Sequence, residues 1–193
     1  RRFAQVSHEY LIEQLQKEEG GVAATKKLNF NHPVKELIWV NQATDVLTEG
    51  ANGGAGRDVS LNVGGLAMGQ GNDFFNYEGA ADKTDEQIGG VTSNESFGTM
   101  KLKLNGHDRF KERNASYFRT CQPIQAGHRV PSKHIYCYSF ALKPEEHQPS
   151  GTCNFSRIDT AQMVFGGDAP TGTLTVYAVN YNVLRIMSGM GGL

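Results

Sequence analysis

Six histidines (His8, His32, His107, His128, His134, His147) and three cysteines (Cys121, Cys137, Cys153) are the residues best suited to bind a metal or attack a substrate. Their spacing supports neither. A metal held between barrel strands wants a His-x-His pair with a carboxylate close by, and every histidine here stands singly. The cysteines are odd in number with none at two-residue spacing, so they form neither a disulfide framework nor a zinc knuckle. No Gly-x-Ser-x-Gly elbow is present. The run Gly54-Ala55-Gly56-Arg57-Asp58-Val59 lacks a third glycine and enters an alternating segment. A phosphate cradle would instead need a helix N-terminus there. No catalytic residue, cofactor or metal is therefore expected, and the chain reads as a non-enzyme.

Charged residues at chosen positions suggest contact instead. Arg157 and Asp159 stand two apart and share a face if their strand is regular. Arg185 lies among Val183, Leu184, Ile186 and Met187, where an isolated charge wants a partner. These three are the candidate intersubunit contacts. Asn94, Asn114 and Asn154 each begin an Asn-x-Ser glycosylation pattern. Asn154 sits in a strand-like run, and Asn94, at the end of a long loop, is the candidate acceptor.

The elements that carry these residues are mostly strands. Met100, Leu102 and Leu104 alternate with Lys101, Lys103 and Asn105, and Asn105-Gly106 supplies a turn. Leu37 and Trp39 against Ile38 and Val40 read as a strand covered on both faces, with Pro33 tolerated at its entry. Ile135–Leu142 reads the same way, as a central strand with large residues on one side and small ones on the other. The apolar phase of the last run changes near Tyr177, which predicts a bulge or a strand serving two surfaces.

Strands are expected near 9–16, 25–31, 35–41, 99–105, 117–122, 133–142, 153–165 (interrupted) and 172–186, with a short helix within 108–117. Val6, Tyr10, Leu11 and Leu15 also fit helical spacing behind Ser7 as N-cap, so the residues alone lean to helix there. A Gly-, Asn- and Asp-rich connection spans about 42–98, with a strand hint at Val59, Leu61 and Val63. The Pro144–Gly151 stretch reads as a rigid connection fixed by two prolines.

The chain has 193 residues, enough for one domain, and its net charge of −1 gives no field that would draw nucleic acid. No apolar run approaches the roughly 20 residues a membrane helix needs. The absence of a disulfide pattern points to a reducing compartment.

Particular wording goes further than periodicity. His32–Val40, Arg129–Leu142 with Pro144–Pro149, Gly151–Asp159 and Tyr177–Met190 together resemble the major capsid proteins of nucleocytoplasmic large double-stranded DNA viruses, of the iridovirus and phycodnavirus kind, in their C-terminal region. The resemblance implies an all-β, eight-stranded jelly roll of two four-stranded antiparallel sheets, with a strand over 9–16. It implies that 1–193 is a single jelly-roll domain, the second in a longer subunit that carries two in tandem. It further implies a structural protein that forms trimeric, pseudo-hexagonal capsomers, which tile an icosahedral virion shell assembled in host cytoplasm. The partners implied are the chain itself, neighbouring capsomers and minor capsid proteins, and an internal membrane can lie beneath such a shell. The other function kept open is a jelly-roll carbohydrate- or receptor-binding module using the 42–98 loop, with Phe74, Phe75, Asn76, Tyr77 and Glu78 as its platform.

Overall fold

In the computed structural model, the chain is described over residues 5–21, 24–42, 75, 77, 95–167 and 169–193. Its strands are β1 (His8–Gly21), β2 (Thr25–Leu28), β3 (Pro33–Gln42), β4 (Thr99–Leu104), β5 (His107–Asp108), β6 (Arg113–Asn114), β7 (Tyr136–Ser139), β8 (Cys153–Asn154), β9 (Ala161–Gly166), β10 (Thr173–Met187) and β11 (Met190–Gly192). They form two antiparallel layers. One runs β1-β10-β3-β7, with β11 added on β10 and β8 on β3; the other runs β2-β9-β4-β5, with β6 added on β4. If β5 and β6 count as one broken strand, each layer has four principal strands in the interleaved order of a jelly roll.

The core lies between the layers. From the first come Val34, Leu37, Trp39, Tyr136, Leu174, Val176 and Ala178; from the second come Leu28, Met100, Leu102, Ala161, Met163 and Phe165. In β4 the alternation holds as expected, with Met100 and Leu102 buried and Lys101 and Lys103 turned to solvent. Trp39 is fully buried and meets Phe118 and Tyr136 at ring-centroid distances of 5.4 and 6.0 Å. Tyr136 anchors a polar corner of this cluster: its hydroxyl donates to Glu95 Oε2 (2.8 Å) and accepts from the Ser96 backbone N–H.

Several expectations are corrected. Residues 117–122 are not a strand: a π-helical turn, Tyr117–Cys121, runs into helix α1 (Gln122–Gln125). Only Phe118 of that turn is buried, so the apparent alternation had no second inward residue to fix it. Pro123 sits in the first turn of α1, where its missing N–H costs nothing. The helix expected within 108–117 is replaced by β5 and β6. Asn105 and Gly106 both take positive φ (51° and 82°), as a tight hairpin requires, and fold the chain back onto β4. Ile135–Leu142 is strand only over β7, which closes the end of its sheet and is not central; Leu142 is exposed. The helical option at the N-terminus is lost to β1, whose 14 residues pair with β10 along their whole length. The Val59–Val63 hint lies outside the described residues.

Gly151 has φ 147°, and a Cβ there would stand 2.7 Å from the Phe140 carbonyl oxygen. Gly151→Ala is expected to destabilise the domain by about 1–3 kcal/mol through this strain. A denaturant melt checks it, and unchanged stability would contradict the reading.

Candidate assembly surface

The longest strand pair extends beyond the sandwich. β3 pairs with β10 only over Thr173–Asn180, and a bulge between Val179 and Asn180 ends that ladder. The bulge expected near Tyr177 is not in β10, which keeps an unbroken register with β1; the extra residue is Lys35 of β3, and β10 is instead a regular strand that serves two surfaces, the other expected option. Among the described residues, β10 pairs from Tyr181 to Met187 with β1 and β11 alone. These strands form a ribbon tongue whose β10 part is roughly 20 Å long at about 3.3 Å per residue.

The tongue is apolar on both faces. Leu11 and Val183 lie opposite one another on one face, followed by Met187; Tyr10 and Leu184 do so on the other, followed by Ile186. Met187 is 58% exposed, and Met190 and Leu193 about three-quarters exposed. Val183, Arg185, Met187, Met190, Gly191 and Leu193 line a groove of about 510 Å³. Two- or three-stranded ribbons are marginal in water without a covered face, and a concentrated apolar patch marks a contact site. The first described residues enter β1 at this same end, so both ends of the described chain leave the domain beside the patch.

The outward face of the β1-β10-β3-β7 sheet carries a second feature, a charge network. Lys35, 3% exposed, is paired with Glu13 (2.7 Å), and its ammonium lies 5.5 Å from the Tyr181 ring centre. A buried charge persists only with such partners. Nearby, His128 bridges Glu36 (Nε2···Oε2 2.9 Å) and Glu145 (Nδ1···Oε1 2.7 Å). Burial pushes the Cys137 thiol up to about 12, and the neighbouring Glu36 charge adds to the shift.

The residues singled out in the sequence are placed as follows. Arg157 closes a 3₁₀ turn (Phe155–Arg157) and Asp159 follows it, both exposed. The strand on which their shared face depended is absent, because Asn154 caps the turn by accepting from Ser156 N–H. Arg185 has its partner within the chain, Glu9 at 2.9 Å across the β1–β10 pair. Asn94 lies outside the described residues, as do Phe74, Asn76 and Glu78 of the loop platform; Phe75 is exposed and its carbonyl accepts from Lys133 Nζ. Asn114 is exposed in β6. All three cysteines are free. Among the described residues no cluster of His, Cys, Asp or Glu could hold a metal ion. No described helix is long and apolar enough to cross a membrane.

Sequence reasoning missed the tongue and the His128 bridge. The tongue had a signal: the apolar residues of 183–187 occupy both phases of the strand. The bridge had none, because its three residues lie on separate segments.

Two stacked sheets with interleaved order, an aromatic core and an apolar ribbon define a jelly-roll domain. The family model described as large eukaryotic DNA virus major capsid protein matches residues 1–192, and the chain belongs to that family. It is 44% identical to the major capsid protein of Pyramimonas orientalis virus over 100% of this chain and 44% of that protein. To the major capsid protein of Paramecium bursaria Chlorella virus 1 it is 42% identical, over 100% of this chain and 49% of that one. The quasi-atomic model of the PBCV-1 virus capsid superposes with a TM-score of 0.67 at 37% identity, covering all of this chain and 52% of that one. The Faustovirus major capsid protein, at 17% identity and TM-score 0.57, shares the fold. The chain spans about half the length of these curated relatives.

Proposed function

We propose that this chain is the second jelly roll of a double-jelly-roll capsid subunit that associates in threes, and that the resulting capsomers tile an icosahedral shell. The observation that carries the reading is the β1–β10–β11 tongue. An isolated domain gains nothing from a ribbon with Leu11, Val183 and Met187 on one face and Leu184 and Ile186 on the other. A subunit buried on several sides does, since obligate interfaces bury about 2,000 Å² or more and are apolar like a core. The tongue is then covered by protein in the capsomer, and Arg157 and Asp159 supply exposed charge for contacts elsewhere on the rim. Neighbouring capsomers and minor capsid proteins are the remaining partners, with assembly in host cytoplasm. Nucleic acid is not a partner on this reading, because the net charge of −1 offers no phosphate-binding field.

Oxidative footprinting tests it. Methionine thioethers oxidise where solvent reaches them, and Met187 and Met190 are exposed in the single domain. In purified particles both are expected to be protected at least about tenfold relative to the dissociated subunit. Equal oxidation in the two states would contradict the proposal.

A further inference from the structure

The connection Lys143–Gly151 lies over the outward sheet face as a strap fastened at its middle. Within itself it is closed: Lys143 N–H donates to Ser150 Oγ, and Lys143 Nζ pairs with Glu146. To the body it is held by Glu145 on His128, and more loosely by His147 Nδ1, 3.6 Å from Glu13. Beside it opens a cavity of about 440 Å³ whose lining includes Ile38, Pro123, Ile135, Cys137 and His128, and to which the strap contributes Glu145.

His128 is the fastening, and its geometry constrains its protonation. Each ring nitrogen stands within 2.9 Å of a carboxylate oxygen. Ionised carboxylates only accept, so both contacts are hydrogen bonds only when both nitrogens carry protons. A neutral ring can donate to one carboxylate and must turn a lone pair toward the other. The two carboxylates are unequal: the Glu36 side chain is 8% exposed and that of Glu145 is 66% exposed. A deprotonated ring keeps its donor on Glu36, the carboxylate that water reaches less, and releases Glu145 to water.

We propose that the strap is a pH-sensitive latch, closed while His128 is a cation and opened at Glu145 when it becomes neutral, which withdraws the Glu145 wall of the cavity and widens the way to Cys137. The titratable and charged groups facing the latch are Glu13 on β1, Lys35 and Glu36 on β3, Cys137 on β7, Lys143, Glu145, Glu146 and His147 on the strap, and Arg129 next to His128 in the cavity lining. Burial by itself would lower the His128 pKa, but the hydrogen bonds and charges of Glu145 and Glu36 outweigh it and hold the value above the usual 6.5. The latch's contribution is therefore complete below about pH 6.5 and fades as pH rises through the elevated folded-state value.

The test is thiol labelling read by mass spectrometry, with exposed Cys121 as the internal reference for reagent activity and the latch variants Glu145→Gln and His128→Gln as the reference for ionisation of the buried Cys137 thiol. Between about pH 6 and pH 9 the Cys137-to-Cys121 labelling ratio is expected to rise at least about tenfold, the equivalent of losing one charge-assisted hydrogen bond. Glu145→Gln should flatten that rise, because an amide can donate to a neutral ring or accept from a charged one. His128→Gln should be flat as well, and circular dichroism establishes that both variants fold. A constant ratio in the unaltered protein, or a rise that persists in folded Glu145→Gln, would overturn the proposal.

Discussion

Val183→Glu combined with Met187→Glu is expected to abolish capsomer formation while leaving the jelly roll folded. Both side chains project from the same tongue face beyond the end of β3, and neither belongs to the core cluster. A carboxylate at either place meets only water in the separated domain, so the melting temperature should move little. In a capsomer each would be desolvated against apolar surface; the one cation between them, Arg185, is already paired with Glu9, and Glu9 and Glu13 on the adjacent strand would add repulsion. Central apolar contacts in an interface are each worth about 2–4 kcal/mol. The pair should thus weaken association by several orders of magnitude, enough to leave single subunits at micromolar concentration. Light scattering on the full-length polypeptide reads the result directly. Capsomers that form normally would show that the tongue is not the contact element.

Trp39→Ala is the corresponding experiment on the fold. The indole stands fully buried on central β3, with Tyr136 from β7 and Phe118 from the π-helical turn against it. It thereby ties the segment that departs from strand structure to the sheet. Removing a buried tryptophan costs about 3–5 kcal/mol, transfer and cavity terms together. For a domain of this size, at about 2–4 °C per kcal/mol, the melting temperature should fall by roughly 6–20 °C. Collapse of the neighbouring rings can shrink the cavity and bring the loss to the lower end. A loss below about 1 kcal/mol would mean that Trp39 does not join the layers.

The two-layer fold was legible because its central strands satisfy local and global requirements together. In β4 each inward residue is apolar and each outward one, Thr99, Lys101 and Lys103, is polar, so one register alone buries the right face. β10 was legible as a strand, and its phase change near Tyr177 marks a regular strand serving two surfaces, while the bulge beside it is made by Lys35 of β3. What sequence could not show was where the partner strand stops. The tongue exists because β3 ends its ladder at Asn180, which is a property of another segment. Residues 117–122 failed for a related reason: β6 and β7 lie beside them, but among the described residues no strand forms a ladder with them.

The candidate contact residues fared unevenly for physical reasons. Arg185 was correctly expected to find a partner, but the partner is Glu9 within the same chain. Arg157 and Asp159 were tied to a regular strand that the Asn154 cap converts into a turn. The His128 bridge joins residues 36, 128 and 145, and nothing short of the folded sheet brings them within hydrogen-bond reach.

The central claim is that this jelly roll belongs to a subunit built to join its own copies. A mass measurement of the full-length purified polypeptide at high concentration tests it most directly. Assemblies of three copies are the predicted outcome, and a protein that stays a monomer throughout would contradict the account.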